Sequence, residues 1–346
     1  MAIIQKRVGK LTESGVLIFP SHPIDYEVPE GFHESDRELF YEENFRDEIP
    51  AVNMFKLDKI AIINGSLIQS GLFLHDFTHH NNIKSVSRIK AFIRLKVMPN
   101  EYMDEAICGV MDWSDNYFHW MTELLPRLLA MFTSLGNVPV LLTEKTFRLP
   151  FVQASLEQLK IKSRLLPSGK ALMVGKLHAS KVPHVGRFNQ YLLGDFRSKV
   201  FQELGYNNTV IPFRKLYITR KSARRRKITN EQNILDEIKN WDFEQVTLED
   251  LAWAEQIKLF SESKVVVSNH GAGLSNIMFM KAGTIVIELK AFNNDYWCYF
   301  SLARIHNLRY SYILCNSSDI DHRNADISVD MNILSQKLKN SEVLSV

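Results

Sequence analysis

From about residue 105 onward, short apolar runs with the length of strands alternate with longer helical patterns. The clearest example is the apolar run 264–268, which is followed by a short helical pattern over 273–280 and a second apolar run at 284–289. Apolar runs of this length bounded by turn residues are typical of buried strands. Strands that alternate with helices at this spacing form parallel sheets, because each helix returns the chain to the edge where the previous strand began. The sequence therefore predicts an α/β fold.

Chain length and one turn-rich segment predict two domains. The 346 residues exceed what a single hydrophobic core usually serves. Residues 205–212, which run from a glycine to a proline, have the composition of a linker. We predict an N-terminal domain over 1–205, of which 1–100 is irregular or β-rich. The C-terminal domain over 206–346 is predicted to be Rossmann-like. The prediction allows its last residues to pack back on the N-terminal domain.

A turn of small residues joins the valine-rich strand to the helical pattern that follows it. His270 is followed by Gly271, Ala272 and Gly273, and the two glycines let a ligand approach the backbone without a Cβ in the way. Free N–H groups and the dipole at the start of a helix favour an anion there. The turn therefore indicates a phosphate site, with His270 as a donor. A plain tight turn with a buried histidine is the alternative, and the pattern is not the GxGxxG of dinucleotide sites.

A basic run begins where the predicted strand 216–219 ends. Arg220 should leave the sheet at the edge where His270 emerges, because parallel strands share their carboxyl edge. Arginine suits bidentate contacts with phosphate, so we interpret Arg220 as a phosphate ligand. For residues 224–227 as a group, a solvated loop or a patch for nucleic acid or anionic lipid is favoured over a ligand role. The basic residues are Lys215, Arg220, Lys221, Arg224, Arg225, Arg226 and Lys227.

The helical pattern over 117–135 begins with a histidine and a carboxylate four residues apart. His119 and Glu123 therefore share one face near the start of this helix. A hydrogen-bonded pair of this kind suits general-base chemistry. The structural alternative is local capping and a salt bridge, which the spacing alone favours. Pro126 is expected to kink the helix or divide it in two.

Glu288 ends the apolar residues of the predicted strand 284–289. A carboxylate at the carboxyl end of a strand in such a sheet can bind both ribose hydroxyls of a nucleotide. A surface acid that merely ends the strand explains the sequence equally well.

Other histidines, acids and cysteines do not form a convincing metal site. The histidines at 75, 79 and 80 have HxxxH spacing, but no HExxH glutamate lies between them. Asp319 and Asp321 have the spacing of a metal-binding DxD, but they lie in a polar stretch that reads as a loop. The cysteines, Cys108, Cys298 and Cys315, are too far apart for a zinc motif or a disulfide framework.

Charge and hydropathy exclude several classes of protein. The net charge of +3 is too small to indicate a nucleic-acid-binding protein. No run of about 18 apolar residues is present, and the first residues do not resemble a signal peptide. The simplest prediction is a cytoplasmic protein, and peripheral attachment to the inner face of a membrane is compatible with it.

Three segments in a fixed order resemble glycosyltransferase family 61. The first runs from Asn116 to Arg127 and contains the aromatic residue, His119, Glu123 and a Leu-Pro-Arg sequence. The second is Ile-Thr-Arg-Lys over 218–221 with the arginines that follow, and the third runs from His270 to Glu288. The resemblance covers roughly residues 105–290. It implies a GT-B architecture, in which two Rossmann-like domains face each other across a cleft. Without a signal anchor, the chain looks most like the bacterial members that assemble capsule or lipopolysaccharide.

The resemblance implies an inverting glycosyltransferase that needs neither a metal nor a cofactor. It moves a sugar from a nucleotide-sugar donor, with a UDP-sugar favoured, to a glycan or glycolipid acceptor in surface polysaccharide synthesis. Glu123 is assigned as the base, with His119 as its rival or partner, and Asn116 and Trp120 are placed on the acceptor side. The donor site is predicted from Arg220, Lys221, Arg225, Asn269, His270, Gly271, Ala272, Gly273, Asn276 and Glu288.

Competing classes remain open at this point. A non-catalytic nucleotide- or sugar-binding protein of the same fold is the main alternative, although it has no need of His119 and Glu123. A sugar epimerase is disfavoured because the chain lacks GxGxxG and a YxxxK pair. The donor sugar, the acceptor, the linkage and the oligomeric state are not specified by the sequence.

Overall fold

The computed structural model describes residues 15–79, 93, 97, 100–206, 210–221, 225–292, 294–317 and 325–344. These residues form two compact units. The first unit contains 15–22 and the described residues from 50 to 184, and the second unit contains 23–49 and the described residues from 185 onward. In this division the helix Gln190–Glu203 groups with the C-terminal residues, and so does the segment 23–49.

The described strands and helices have the following bounds. The strands are β1 (Val16–Phe19), β2 (His22–Asp25), β3 (Arg46–Ile49), β4 (Val52–Ile63), β5 (Ser66–Gln69), β6 (Leu72–Phe73), β7 (Asn100–Cys108), β8 (Val140–Leu142), β9 (Ser163–Leu165), β10 (Ala171–Ala179), β11 (Arg214–Ile218), β12 (Glu244–Val246), β13 (Ser263–Asn269), β14 (Ile285–Ala291), β15 (Arg309–Ser317) and β16 (Ile327–Ser328). The α-helices are α1 (Tyr117–His119), α2 (Leu125–Leu135), α3 (Glu144–Phe147), α4 (Pro150–Gln158), α5 (Gln190–Glu203), α6 (Glu231–Ile238), α7 (Trp253–Ser261), α8 (Cys298–Ile305) and α9 (Met331–Leu344).

The first unit is built on a mixed sheet. Its strand order is β6-β5-β4-β10-β7-β8-β9, and β1 also pairs with β4. The strands β10, β7, β8 and β9 run parallel, whereas β4 pairs antiparallel with β10 and with β5. The predicted β-rich character of the first hundred residues is confirmed by β4 to β6.

The second unit has a sheet in the order β12-β11-β13-β14-β15-β16, parallel from β12 to β15. Val265 and Val267 lie on one face of this sheet, in a core to which Ile234 of α6 and Leu338 of α9 contribute. This parallel sheet with helices confirms the predicted α/β class. The strand predicted at 284–289 extends to Ala291, and the short helix predicted at 273–280 is the 3₁₀ helix Ala272–Phe279.

Residues 23–49, which we call the strap, pack on the second unit. The Phe40 ring stacks on Trp297 with centroids 3.7 Å apart, and the Trp297 indole N–H donates to the Leu39 carbonyl at 2.7 Å. The Glu30 amide donates to the Tyr310 carbonyl at 2.8 Å, and the Tyr312 hydroxyl donates to the Asp36 carboxylate at 2.7 Å. Two acidic side chains of the strap therefore bind donors on β15, since Asp36 accepts from Tyr312 and Glu30 accepts from Arg309.

His306, which follows α8, makes the stability of the second unit depend on pH. Burial, with the charge of Arg197 adding to it, lowers the pKa of His306 from 6.5 to about 3. The unfolded chain thus takes up a proton below pH 6.5, whereas the folded protein does not do so until pH is near 3. The stability contributed by the neutral ring is complete above the higher value and is lost as pH falls through this window. The loss is on the order of 4 kcal/mol.

His306→Gln is therefore expected to flatten the decline of the unfolding free energy between pH 6.5 and 4, because glutamine does not titrate. Urea titrations at a series of pH values measure this slope. His33→Gln, which changes an exposed histidine of the strap, is the matched control and should leave the slope unchanged. An equal slope in His306→Gln and the parent protein contradicts the prediction.

Candidate functional site

The carboxyl ends of β11, β13 and β14 lie side by side in the second unit. Ile218 pairs with Ser268, and Ser268 pairs with Glu288. This register brings Arg220 and His270 to one edge of the sheet, as their positions after neighbouring parallel strands predict. The Arg220 guanidinium lies directly against Gly271, where a Cβ atom would come within 2.2 Å of Nη1. Any larger residue than glycine at 271 would therefore displace the arginine.

Arg226 is the second cation at this edge. Its Nη1 donates to the His270 carbonyl at 3.1 Å, and its own carbonyl accepts from Asn269 Nδ2 at 2.5 Å. Burial and then the charge of Arg226 lower the pKa of Arg220, so the two guanidinium groups lie close enough to repel each other. The Nε atoms of both are buried, and neither has a hydrogen-bond partner among the described residues. The charge of Glu249 opposes this repulsion at Arg220, but its effect is smaller than that of Arg226. Two like charges that are only partly compensated form a site suited to an anion.

The turn between β13 and the 3₁₀ helix is held firmly. The His270 amide donates to the Leu289 carbonyl at 2.9 Å, and the Tyr299 hydroxyl donates to the Gly271 carbonyl at 2.7 Å. The 3₁₀ helix starts at Ala272, so the N–H groups of Ala272 and Gly273 belong to its first turn, where helices lack internal acceptors. The backbone therefore adds N–H donors beside the two arginines.

A buried carboxylate fixes the orientation of the His270 ring. Glu288 has 0% of its surface exposed and accepts hydrogen bonds from His270 Nδ1 and from the Tyr310 hydroxyl. Burial alone would raise the pKa of Glu288, but the combined effects of His270, Lys290 and Tyr310 hold it below its usual range. Glu288 lies in the middle of β14 and not at its end. Because both carboxylate oxygens already bind side chains, its position supports His270 and leaves Nε2 as the ring nitrogen available to a ligand.

Removing the charge of Glu288 is expected to change the ionisation of His270. Burial lowers the pKa of His270, and the Glu288 charge opposes that effect. Glu288→Gln should therefore lower the pKa of His270 further. NMR titration of the His270 imidazole measures this pKa in the variant and in the parent protein. Tyr310→Phe is the matched control, because it removes a hydrogen bond to Glu288 but keeps the charge. Equal pKa values of His270 in Glu288→Gln and the parent protein would show that the pair is not coupled.

The other residues predicted for the donor site occupy different positions. Asn276 is buried and donates to Gln256 of α7 at 3.0 Å, so it holds the 3₁₀ helix against α7. Lys221 and Arg225 are exposed, and Arg224 lies outside the described residues. Arg226, Tyr299 and Tyr310 were not among the predicted site residues. Only the basic run gave a sequence signal for any of them, and it did not distinguish Arg226 from its neighbours.

The predicted His–carboxylate pair is present in the first unit. Asn116 caps α1 by accepting from the Phe118 amide at 2.9 Å. His119 Nδ1 lies 2.8 Å from Glu123 Oε2. Between α1 and α2 the chain forms a π-helical turn, Trp120–Leu124, which ends two residues before Pro126. The expected interruption of the helix is thus confirmed, and π turns of this kind occur frequently at functional sites.

Burial distinguishes the two members of this pair. The side chain of Glu123 is 1% exposed, whereas that of His119 is 14% exposed. The partly buried Arg127 donates to the Glu123 carbonyl at 2.8 Å, and desolvation lowers the pKa of Arg127 to about 10 despite the opposing charge of Glu123. His119 is therefore the more exposed member of the pair, and the buried Glu123 contacts its Nδ1.

Trp120 and Trp113, which lie near this pair in the sequence, also differ in burial. Trp120 is completely buried and donates to the Ser155 hydroxyl at 3.0 Å, so it has no surface for an acceptor. The predicted role of Trp120 as an acceptor contact does not fit this burial. Trp113 is exposed, and its ring centroid lies 5.1 Å from that of His119.

No three His, Cys, Asp or Glu side chains cluster at metal-binding distance within the part of the chain that the structure describes. His75 pairs with Asp76, and His79 lies 2.6 Å from the Thr78 hydroxyl. His80, Asp319 and Asp321 lie outside the described residues. Among the described helices, none combines the length and the apolar character needed to cross a bilayer.

Comparison with known proteins agrees with this geometry. Residues 117–287 match the family model described as Glycosyltransferase 61. This range contains both the His119–Glu123 pair and the edge formed by Arg220, Arg226 and His270. The resemblance seen in the sequence motifs is therefore confirmed for this part of the chain.

The relatives found are animal glycosyltransferases. The chain is 29% identical over 122 residues to the EGF domain-specific O-linked N-acetylglucosamine transferase of Drosophila melanogaster, and 30% identical over 99 residues to that of Gallus gallus. It is 32% identical over 120 residues to protein O-linked-mannose beta-1,4-N-acetylglucosaminyltransferase 2 of Pan troglodytes. The matches cover 32%, 27% and 32% of this chain but only 23%, 18% and 20% of the relatives. A specific likeness to bacterial capsule enzymes is not among these findings and stays a prediction.

Proposed function

We propose that the chain is a nucleotide-sugar-dependent glycosyltransferase whose donor diphosphate binds at the carboxyl edge of the second unit's sheet. The observation that carries this proposal is the Arg220–Arg226 pair. The charge of Arg226 acts on Arg220 more strongly than the opposing charge of Glu249, and both arginines lie beside the Gly271 turn. A diphosphate would supply the missing negative charge and accept from guanidinium, imidazole and backbone N–H groups together.

The chemistry proposed is a single displacement with inversion at the anomeric carbon. His119 takes the proton from an acceptor hydroxyl as its oxygen forms the bond to C1, and Glu123 holds the imidazole in place. The bond from C1 to the diphosphate breaks, and its electron pair stays on the leaving group. Arg220, Arg226 and His270 stabilise that charge without a metal. The GT-B architecture expected from family 61 is part of this proposal.

The substrate classes follow from the same resemblance. The names of the relatives make UDP-N-acetylglucosamine the first donor to test, within the UDP-sugars favoured by the motifs. The proposed acceptor is a hydroxyl of a glycan, and synthesis of a surface polysaccharide is the proposed role. Acceptors that resemble the EGF domains or O-linked mannose of the relatives' names are included in the assay for comparison.

Nucleotide binding tests the proposal directly. Calorimetry and thermal shift with UDP, GDP, CMP and their sugar conjugates are carried out with EDTA present throughout. We expect one nucleotide to bind under these conditions. Arg220→Ala should weaken the binding of that nucleotide. Binding that appears only when manganese is added would refute the metal-independent mechanism. Absence of binding under both conditions would refute the donor site, and binding without transfer or donor hydrolysis would favour a non-catalytic binding protein.

A further inference from the structure

Trp113 adopts a backbone conformation that is unusual for a bulky residue. Its φ of 64° lies in the left-handed region, which favours glycine and is strained for a large side chain. The side chain is 41% exposed, whereas Trp120, Trp253 and Trp297 are buried and Trp241 is partly buried. A strained, exposed tryptophan has no evident benefit for the core of the first unit.

Hydrogen bonds hold the turn around Trp113 on both sides. The Asn116 amide donates to the Trp113 carbonyl at 2.8 Å, and the Asp112 amide donates to the Thr78 carbonyl at 2.7 Å. The hydroxyls of Ser114 and Thr146 are hydrogen-bonded at 2.8 Å, and both are buried. The indole is therefore presented by an anchored turn and not by a loose loop.

The indole stands beside the proposed base. Its centroid lies 5.1 Å from that of His119, with the two ring planes 46° apart. Asn116, which closes the Trp113 turn, also caps the helix that carries His119. The positions of the indole and the imidazole are thus coupled through one short segment.

We propose that Trp113 is the platform on which a pyranose ring of the acceptor stacks, with one of its hydroxyls directed to His119. This inference rests on the proposed function, since His119 must act on an acceptor hydroxyl. The C–H groups on one face of a pyranose carry partial positive charge and are attracted to the negative face of an indole. A sugar stacked about 4 Å above the indole would lie next to the imidazole. The acceptor is accordingly a glycan and not an unmodified peptide.

Tryptophan fluorescence reports on this platform before any acceptor is known. Trp113 is the most exposed of the five tryptophans, so it dominates quenching by acrylamide. The probes are methyl pyranosides of glucose, galactose, mannose and N-acetylglucosamine, together with UDP and a serine/threonine peptide. We expect at least one methyl pyranoside to reduce quenching by about half, and UDP alone and the peptide to leave it unchanged.

Trp113→Gly separates the proposed role from a structural one. Glycine relieves the strain at positive φ, so the melting temperature should be unchanged or higher, and UDP affinity should be unchanged. The acceptor KM should nevertheless rise about tenfold, and Trp113→Phe should restore part of the loss. Tyr102→Ala removes a 76% exposed aromatic from the same unit and is the matched control.

The inference and the proposed function fail in different ways. If UDP binds but no methyl pyranoside protects Trp113, or only the peptide does, the stacking platform is refuted and the donor site stands. An unchanged acceptor KM in Trp113→Gly also refutes the stacking platform. If methyl pyranosides protect Trp113 but no nucleotide binds, the stacking site survives and the transferase proposal does not.

Discussion

His119→Ala is expected to lower kcat by about 10²–10⁴-fold, which is the usual contribution of a general base. The expected reason is that the proposed mechanism gives the acceptor proton to His119, whose ring is positioned by the contact between its Nδ1 and Glu123. Affinity for the nucleotide should be unchanged, because the Arg220–Arg226 pair and the Gly271 turn supply that site. Initial rates of sugar transfer and calorimetry with UDP measure the two quantities separately.

Glu123→Gln distinguishes the base from the residue that orients it. Because Glu123 is almost completely buried, we expect a smaller loss of kcat than in His119→Ala. The control is His178→Asn, since His178 makes a comparable 2.9 Å contact with Glu105 in the same unit and should be neutral for turnover. If Glu123→Gln removes all activity and His119→Ala retains most of it, the carboxylate is the base, as the sequence motifs first suggested.

Arg226→Ala is expected to weaken binding of the nucleotide by about 10–100-fold, because hydrogen bonds to charged groups contribute about 1.5–3 kcal/mol each. Arg220→Ala should have a similar effect. Arg226→Lys should recover only part of the affinity, since lysine cannot make the bidentate contact. Calorimetry with UDP gives the dissociation constants.

The neighbouring cations provide the control for this experiment. Arg225→Ala and Lys221→Ala alter exposed residues of the same basic run and should change affinity by no more than about twofold. If Arg225→Ala strongly lowers nucleotide affinity and Arg226→Ala does not change it, the loop is arranged differently when the nucleotide is bound. The proposed anion site would then have to be withdrawn.

The parts of the second unit that are encoded locally could be predicted from the sequence. The valine run over 265–267 and the glycine turn after it specify a buried strand and a tight connection through neighbouring residues alone. The meeting of Arg220 and His270 follows from the common edge of parallel strands. These features need no knowledge of distant contacts.

Other features depend on contacts that the sequence does not reveal. Arg226 has a positive φ of 58°, and its side chain is directed by the fold of its loop and not by its place in the basic run. The strand predicted from the sequence stops at 289, but Lys290 is buried, with its ammonium group 4.2 Å from the centroid of the Trp297 ring. β14 therefore continues past Glu288, and the carboxylate is enclosed within the sheet. The exposure of Trp113 and the burial of Trp120 likewise depend on the turn and the π-helical segment.

The strap also determines when the second unit is able to fold during synthesis. Its residues leave the ribosome well before their partners, since Leu39 and Trp297, which share a hydrogen bond, are 258 positions apart. Contacts between such distant positions form slowly. Phe40 and Phe45 are both buried in the finished protein. They must therefore stay without their later packing partners while residues 50–184 are translated. The nascent chain thus carries an aromatic segment that needs protection from aggregation until β15 emerges.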